Sequence, residues 1–233
     1  MLKNIKIIGL GGCGINSINN MIDFDLKNVE FLVFDTDENG LKSSKVKNKI
    51  LIGEKTAQGL GSGARLEIGQ KSIIENRYEI LDFLKDSDII FVIAGIGGGT
   101  GGGAAPVISS FIKEIGTINI SFVNMPFTFE GPKRSDNSKE CLSQLKEFAD
   151  VIIKMNNDNL LSLIDKNTDM TKAFTMVDKC FVRYINFINE NFDETNLNVN
   201  NLIKWSKVFF EMPANEKMKA EIYSITTYKT RLD

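Results

Sequence analysis

Short apolar runs rich in β-branched and aromatic residues recur along the first half of the chain. They cover Ile5–Ile8, Phe31–Phe34, Ile89–Ala94 and Ile118–Val123, and their length and composition are typical of buried strands. Stretches with helical periodicity lie between most of them. Because strands that alternate with helices pair in parallel, the pattern predicts an α/β fold with a doubly wound, mostly parallel sheet.

Apolar residues at helical spacing predict the helices. These cover Ile15–Ile22, Ala64–Asn76, Ala104–Ile115, Ser135–Phe148 and a longer segment around Met170–Asn189. In the longest one, a broad apolar stripe is typical of a helix with one face on the core, and it consists of Met170, Ala173, Phe174, Val177, Phe181, Tyr184, Ile185 and Ile188. After Asn189 the composition turns polar, and the pattern allows a further short helix over Leu202–Phe210.

Composition narrows the class of protein. With 233 residues, of which 42% are hydrophobic and 25% charged, the chain can bury the core of one full domain. A net charge of -2 without a local basic cluster gives no field that attracts nucleic acid, so none is expected as a partner. Three widely spaced cysteines and the lack of histidine exclude a structural zinc site and an imidazole base.

Targeting signals are not evident in the sequence. The amino terminus, Met1–Gly9, is too short and too charged for a signal peptide, and no apolar run reaches about 18 residues. We therefore expect a cytoplasmic location, reduced thiols and no direct membrane insertion.

A first glycine-rich loop, Gly9–Gly14, follows a predicted strand and precedes a predicted helix. It fits the G-x-G-x-x-G pattern, in which glycines let the backbone approach a phosphate at a helix N-terminus. Asp35 and Asp37 follow about twenty residues later, where a dinucleotide-binding fold places its ribose-binding acid. Residues 1–40 alone therefore fit an NAD-dependent oxidoreductase as well as other nucleotide-binding proteins, and a mere tight turn is the remaining alternative.

A second glycine-rich loop, Gly95–Ala105, follows the third predicted strand and opens another helix. Each glycine costs about 0.5–1 kcal/mol relative to alanine inside an element, so a long run indicates a required backbone shape rather than packing. Successive free N–H groups at a helix start form an anion-binding nest, to which Thr100 adds a hydroxyl. Together with Gly59–Arg65, these loops surround a longer phosphate chain than that of NAD, and a triphosphate fits best.

The segment Gly97–Gly103 resembles the GGGTGTG signature of the FtsZ/tubulin family of GTPases, with Gly102 in place of threonine, and residues 1–190 resemble FtsZ members of that family throughout. The resemblance implies a Rossmann-like GTP-binding domain ending in a long central helix, and a function in cell division or filament assembly. It also implies GTP or GDP as the ligand, with Mg²⁺ carried on the phosphates. The implied parts are a GTP-binding domain (1–172), a central core helix (173–190), and a degenerate activating-loop region with a C-terminal remnant (191–233).

Site residues follow from the same resemblance, residue by residue. Glu130 and Arg134, in a segment similar to the family's FEGxxR motif, would hold the ribose, and Asn157 would lie near the sugar. Phe174 and Asp178 occupy the guanine-binding positions, four residues apart on one helix face. The implied nucleotide-binding residues are Gly11, Gly12, Cys13, Gly14, Asn16, Asp35, Thr36, Gly61, Ser62, Gly63, Gly97, Gly98, Gly99, Thr100, Gly101, Gly102, Gly103, Glu130, Arg134, Asn157, Phe174 and Asp178.

The guanine-binding assignment agrees with the chemistry of the base. A carboxylate accepts both parallel N–H donors of guanine, whereas adenine offers a donor beside an acceptor. The alternatives are simple core packing for Phe174 and a solvated helix face for Asp178.

The sequence departs from the family in the loop that activates hydrolysis. In FtsZ and tubulin this loop carries acidic residues into the nucleotide site of the next subunit. A gapless continuation sets Asn198–Ile203 against the family's Asn-x-Asp-Phe-Ala-Asp, so the two catalytic positions hold Asn200 and Ile203 instead of acids. Losing a general base removes about 10²–10⁴-fold of rate. A rival register aligns Asn191–Asp193 instead and requires a central helix two turns shorter.

A second departure is length, because Glu211–Asp233 is too short for the family's carboxy-terminal domain. We expect guanine-nucleotide binding with weakened or absent hydrolysis, and filaments formed with itself or with a complete FtsZ homologue. One alternative is a non-catalytic partner that caps or co-polymerises with a complete FtsZ. The other is an NAD-dependent oxidoreductase, for which no hydride-transfer site is evident.

Overall fold

Within the part of the chain that the structure describes, seven strands form one central sheet. The computed structural model describes residues 2–161, 169–193, 195–212 and 220–224, so the predicted part 191–233 lies partly outside the described residues. The strands are β1 (Ile5–Leu10), β2 (Val29–Asp35), β3 (Asn48–Leu51), β4 (Ile89–Gly95), β5 (Ile118–Met125), β6 (Val151–Asn156) and β7 (Glu221–Ser224). Their order is β3-β2-β1-β4-β5-β6-β7, and every pair is parallel except β6 with β7. The predicted doubly wound, mostly parallel sheet is confirmed.

Helices cover both faces of this sheet. They are α1 (Gly11–Met21), α2 (Glu38–Lys42), α3 (Leu66–Glu75), α4 (Arg77–Leu84), α5 (Gly99–Glu114), α6 (Pro132–Leu145), α7 (Asn157–Leu161), α8 (Met170–Asn191) and α9 (Val199–Glu211), with a 3₁₀ turn over Thr128–Glu130. The predicted helices are present with shifted bounds, and the short one at Leu202–Phe210 corresponds to α9. The apolar pattern does not predict the strands β3, β6 and β7 or the helices α2, α4 and α7.

Side chains that alternate along the buried strands divide the core in two. In β4, Phe91 belongs to the core shared with α1 and α8, and its neighbour Val92 belongs to the core shared with α3 and α5. Both side chains are fully buried. A parallel strand covered on both sides has no polar face, so it forms a continuous apolar run in the sequence. This is why the pattern predicts β1, β2, β4 and β5.

The strand order reverses at β1. From β1 the chain passes outward to β2 and β3, and it then crosses to β4 on the other side of β1. Connections that diverge in this way leave a crevice at the carboxyl ends of the two strands, where α/β sheets bind ligands. Leu10 and Ala94 are register partners at these ends, so the loops that follow β1 and β4 lie side by side.

Helix α5 begins inside the glycine run, at Gly99 rather than at the predicted Ala104. The reason is close contact with α3. A Cβ atom on Gly103 would lie 2.2 Å from the backbone oxygen of Leu66, and one on Gly69 would lie 2.2 Å from that of Gly99. Part of the glycine run therefore serves packing, contrary to the expectation from the sequence. Helix α1 likewise begins at the glycines of its own loop, at Gly11.

The long helix α8 packs against the sheet along the predicted apolar stripe, and the buried members of that stripe are Ala173, Val177, Phe181, Tyr184, Ile185 and Ile188. Phe181 stacks on Phe122 of β5 with ring centroids 4.1 Å apart. Tyr184 shares a hydrogen bond with Ser206 of α9 at 2.5 Å. These contacts join α9 to the same core as α8.

Replacing Gly103 with alanine should destabilise the fold, although alanine favours helices by about 1 kcal/mol. The new methyl group would overlap the Leu66 backbone oxygen, and separating α3 from α5 should cost about 1–3 kcal/mol, as overpacked cores do. Gly12→Ala is the control, because Gly12 is also a glycine near the start of a helix and its Cβ would meet nothing within 4 Å. Urea unfolding measures both variants. Equal stabilities would show that the α3–α5 contact does not require glycine.

Candidate functional site

Two helices begin at the crevice between β1 and β4 without a capping side chain. Their N-cap residues are Leu10 for α1 and Gly98 for α5, and neither first turn contains an acidic residue. A helix N-terminus leaves N–H groups without intrahelical acceptors and carries partial positive charge. Two such ends at one crevice favour an anion between them.

A cavity of about 460 Å³, which we call the loop cavity, lies at these two helix ends. The predicted site residues that line it are Gly11, Gly12, Cys13, Asp35, Gly61, Ser62, Gly97, Gly98, Gly99, Thr100, Gly101, Glu130, Arg134, Asn157 and Phe174. The structure therefore brings most of the predicted residues together. Leu10, Asp37 and Gly95, which belong to the loops that the sequence singles out, also line it, and the motifs do not identify the four remaining lining residues, which are Gly40, Asn124, Pro126 and Phe127.

Hydrogen bonds among hydroxyl groups tie three loops of this cavity together. The Thr36 and Thr100 hydroxyls are 2.6 Å apart, and Thr100 donates to Ser62 Oγ at 3.1 Å. Thr36 is predicted to contact a nucleotide, but it is fully buried and supports Thr100 instead of lining the cavity. Asp35 accepts from the Thr36 backbone N–H at 2.7 Å. Burial raises the pKa of Asp35, and this backbone hydrogen bond opposes the rise.

The segment after β5 adds an ion pair to the lining. Arg134 Nη1 donates to Glu130 Oε2 at 2.6 Å, and Glu130 Oε1 accepts from the backbone N–H of Phe127 at 2.8 Å. The second bond orders the 3₁₀ turn that carries Glu130. Asn157, at the start of α7, is 8% exposed, and its Oδ1 has no donor among the described residues. A buried acceptor of this kind can receive a hydrogen bond from a ligand.

A second cavity, of about 600 Å³, lies between α1 and α8, and we call it the interhelix cavity. The predicted residues Asn16 and Asp178 line it rather than the loop cavity. Cys13, Asn124 and Phe174 line both cavities, so one ligand can extend from the helix ends into the space between α1 and α8.

A buried carboxylate and an aromatic ring are the main features of the interhelix cavity. Asp178 is 2% exposed, so the alternative of a solvated helix face is wrong. Its Oδ2 accepts from Asn20 Nδ2 at 2.7 Å, and burial raises the pKa of Asp178 against the effect of that bond. Phe174 is half-buried and meets Phe127 edge to face, with centroids 6.1 Å apart. This pairing suits a flat base with N–H donors.

Cys13 lies where the two cavities meet. Its sulfur accepts from Asn124 Nδ2 at 3.6 Å. Burial raises the pKa of the Cys13 thiol to about 11, so the thiol stays protonated at neutral pH. A protonated thiol is a poor nucleophile, and Cys13 is therefore a small lining residue rather than a reactive one.

Some predicted site glycines line neither cavity, namely Gly14, Gly63, Gly102 and Gly103. Gly14 instead lets α1 lie against the sheet, because its Cβ would be 2.6 Å from the Ile93 backbone oxygen. Gly63 has a φ of 59° in the turn that leads into α3. Gly102 and Gly103 face Leu66 of α3. These glycines hold the loops in place without adding to the surface of the site.

The predicted catalytic positions Asn200 and Ile203 lie in the first and second turns of α9 and line neither cavity. Asn198 caps this helix by accepting from the Asn201 backbone N–H at 2.9 Å. Ile203 is partly buried against the core that α8 borders. Helix α8 ends at Asn191, so the residues of the rival register, Asn191–Asp193, lie at its carboxyl end, and the choice between the two registers stays a prediction.

Residues 4–165 match the family model described as the Tubulin/FtsZ family, GTPase domain. The chain therefore belongs to the Tubulin/FtsZ family and contains its GTPase domain. None of the helices in the described ranges combines the length and apolarity that a bilayer crossing demands.

Solved structures of FtsZ and CetZ proteins share the fold. An empty FtsZ dimer from M. jannaschii is 33% identical, with a TM-score of 0.72 over 78% of this chain and 53% of that chain. A point mutant of FtsZ from the same organism is 30% identical, with a TM-score of 0.75 over 89% and 61%. CetZ2 from Haloferax volcanii, in a GTPγS-bound protofilament, is 22% identical, with a TM-score of 0.75 over 87% and 63%. The chain thus spans 53% to 63% of the length of these chains.

Asp35→Asn should change how the stability of the ligand-free protein depends on pH. Burial raises the folded-state pKa of Asp35 above its ordinary value of 3.8, so the folded state binds the proton more tightly than the unfolded state. The stability contributed by Asp35 is therefore fully present below that ordinary value and is lost as pH rises through the folded-state pKa. The asparagine variant keeps an oxygen for Thr36 and should lack this decline.

Urea unfolding of both proteins from about pH 4 to 7 measures the difference. Asp25→Asn, which removes an exposed carboxylate, is the control and should follow the wild-type curve. Parallel curves for the wild type and Asp35→Asn would contradict the prediction.

Proposed function

We propose that the chain binds GTP or GDP, with the phosphates in the loop cavity and the base in the interhelix cavity. One observation carries the proposal: two uncapped helix N-termini are connected, through shared lining residues, to a buried carboxylate beside an aromatic ring. Membership of the Tubulin/FtsZ family supports it, as does the GTPγS bound to the CetZ2 protofilament. Family membership also favours a guanine nucleotide over NAD as the ligand.

Asp178 accounts for the choice of base in this proposal. An ionised carboxylate accepts from the N1–H and the N2 amine of guanine, which point in the same direction. Adenine has an acceptor at N1, which would face the carboxylate and leave a buried charge without a partner. Phe174 offers a ring on which the base can stack.

The lining near Glu130 fits the ribose. The Glu130 carboxylate and the Oδ1 of Asn157, which has no donor among the described residues, are acceptors for hydroxyl groups, and Arg134 Nη1 donates to Glu130 at 2.6 Å. The anionic phosphates would occupy the space between the starts of α1 and α5, with Mg²⁺ carried on them. The division into parts 1–172, 173–190 and 191–233 remains a prediction.

Hydrolysis is weak in this proposal because the first turn of α9 supplies no acid. In family members, as the resemblance implies, that region activates the nucleotide of the next subunit. Asn200 is exposed and neutral, and Ile203 is apolar. A missing general base lowers the rate by about 10²–10⁴-fold.

The proposed setting is a cytoplasmic filament involved in cell division, made of this chain or of this chain with a complete FtsZ homologue. A second candidate function is a non-catalytic partner that caps or co-polymerises with such a homologue. The neutral first turn of α9 favours this candidate, because such a chain accepts an activating loop from its neighbour but supplies none.

The choice of base can be tested with Asp178→Asn. Its amide turns a donor toward the guanine amine, so GTP affinity should fall by about 10–150-fold, the value of a hydrogen bond to a charged group. Inosine triphosphate lacks that amine, so its affinity should fall less than that of GTP. The preference of the protein for GTP over inosine triphosphate should therefore shrink. Isothermal titration with GTP, inosine triphosphate and ATP measures these affinities.

Asp136→Asn is the control for this experiment, because it removes an exposed carboxylate outside both cavities. Wild-type protein that binds ATP as tightly as GTP, or that binds neither in the micromolar range, would refute guanine-nucleotide binding. Quenching of nicotinamide fluorescence on mixing would revive the NAD alternative.

Restoring acids to α9 should restore turnover. The double variant Asn200→Asp, Ile203→Asp should hydrolyse GTP about 10²–10⁴ times faster than wild type. Its rate per molecule should rise with protein concentration, because the activating loop acts on a neighbouring subunit. Phosphate release measured over a range of concentrations is the readout.

Lys207→Asp is the matched control, since it changes the charge of α9 by the same amount at an exposed position. Fast, concentration-dependent turnover by the wild type would contradict weak hydrolysis. For the second candidate function, a complete FtsZ is mixed with wild-type protein, and a flat phosphate-release trace would count against it.

A further inference from the structure

Asn20 lies next to Asp178 in the interhelix cavity, and no motif in the sequence points to it. Its Nδ2 donates to Asp178 Oδ2 at 2.7 Å, across the space between α1 and α8. Because an ionised carboxylate has only acceptors, the amide must turn its nitrogen toward Asp178. The hydrogen bond therefore fixes the orientation of both side chains.

Few groups act on this carboxylate. Burial, Asn20 and Ser17 set the pKa of Asp178, and in the described part of the chain no cation is among the causes of its shift. The titratable neighbour is Cys13, whose pKa is raised to about 11 by burial and, to a smaller extent, by the charges of Asp178 and Glu130. With the Cys13 thiol protonated at neutral pH, Asn20 and Ser17 are the groups that favour the ionised form of Asp178.

We propose that Asn20 is a positioning residue for guanine recognition, which hydrogen-bonds one oxygen of Asp178 and thereby orients the carboxylate toward the base and favours its ionised form. The inference rests on the proposed function, in which Asp178 receives guanine. Asn20 acts through Asp178, and its contribution should therefore depend on the charge of that residue.

A consequence is that GTP affinity depends on pH. A protonated Asp178 directs an O–H toward the N–H donors of guanine, so one acceptor is lost and the base binds less well. Without Asn20, the pKa of Asp178 rises further, because the hydrogen bond that lowers it is gone. The loss of GTP binding on acidification should then begin at a higher pH.

The test is Asn20→Leu, measured by titration with GTP and with inosine triphosphate from about pH 5 to 8. At neutral pH the variant should bind GTP about tenfold more weakly. The pH at which GTP affinity is half of its maximum should move upward. The affinity for inosine triphosphate should change less, because its base lacks the N2 amine that guanine donates to Asp178. Asn186→Leu, the same substitution two turns along α8, should leave both profiles unchanged.

A double-mutant cycle separates positioning from packing. In an Asp178→Asn background, Asn20→Leu should produce no further shift in the pH profile and little further loss of affinity. An equal loss in both backgrounds, or an unmoved pH profile in the single variant, would overturn the inference. Wild-type protein that fails to bind GTP at all would instead refute the proposed function.

A measurement without nucleotide covers the case in which Asn20→Leu is unstable. The carboxyl carbon of Asp178 can be titrated by NMR in the wild type and in Asn20→Ser, whose side chain is too short to keep the hydrogen bond. The inference expects a higher pKa for Asp178 in the variant, and identical titrations would overturn it.

Discussion

The start of two helices at one crevice is the constraint on which the site depends. Helix α1 follows β1 directly and α5 follows the neighbouring strand β4 after three residues, and no side chain in the described part of the chain caps either helix. A cap would stabilise each helix by about 0.5–2 kcal/mol but would satisfy the N–H groups internally. Because the capping side chains are absent, these N–H groups remain available as donors for a ligand. Gly14 and Gly103 permit this arrangement, because any side chain there would meet backbone atoms of β4 or α3.

Two buried carboxylates, together with the helix N-termini, make the two ends of the site chemically different. Asp35 adjoins the helix ends, and Asp178 lies in the interhelix cavity between α1 and α8. Burial raises the pKa of both, which means that each costs stability when ionised, and each has donors that reduce this cost. The helix N-termini favour an anion, whereas Asp178 favours a group rich in N–H donors. A nucleotide has both kinds of group, one at each end.

The sequence predicts those parts of the fold and site that depend on local pattern. Strands buried on both faces have continuous apolar runs, and the glycine loops mark the crevice. The pattern misplaces the start of α5, because glycine disfavours helices by about 1 kcal/mol and the glycine run is therefore expected to lie outside the helix. In the structure, close contact with α3 requires glycine in the first turns of α5. It misses β3 because Asn48–Leu51 ends in only two apolar residues. Asn20 cannot be found from the sequence, because its partner Asp178 is 158 residues away along the chain.

In the proposed function, the start of α9 lacks the acids of the activating loop, and the stability of this helix does not depend on them. Acidic residues stabilise the first turn of a helix, so an acid at position 200 would strengthen α9. Here the helix has other support, because Asn198 caps it and Ile203 packs against the core. A cap contributes about 1 kcal/mol and apolar burial a similar amount. The fold therefore does not need the acids, and the crevice between β1 and β4 is independent of whether α9 carries them.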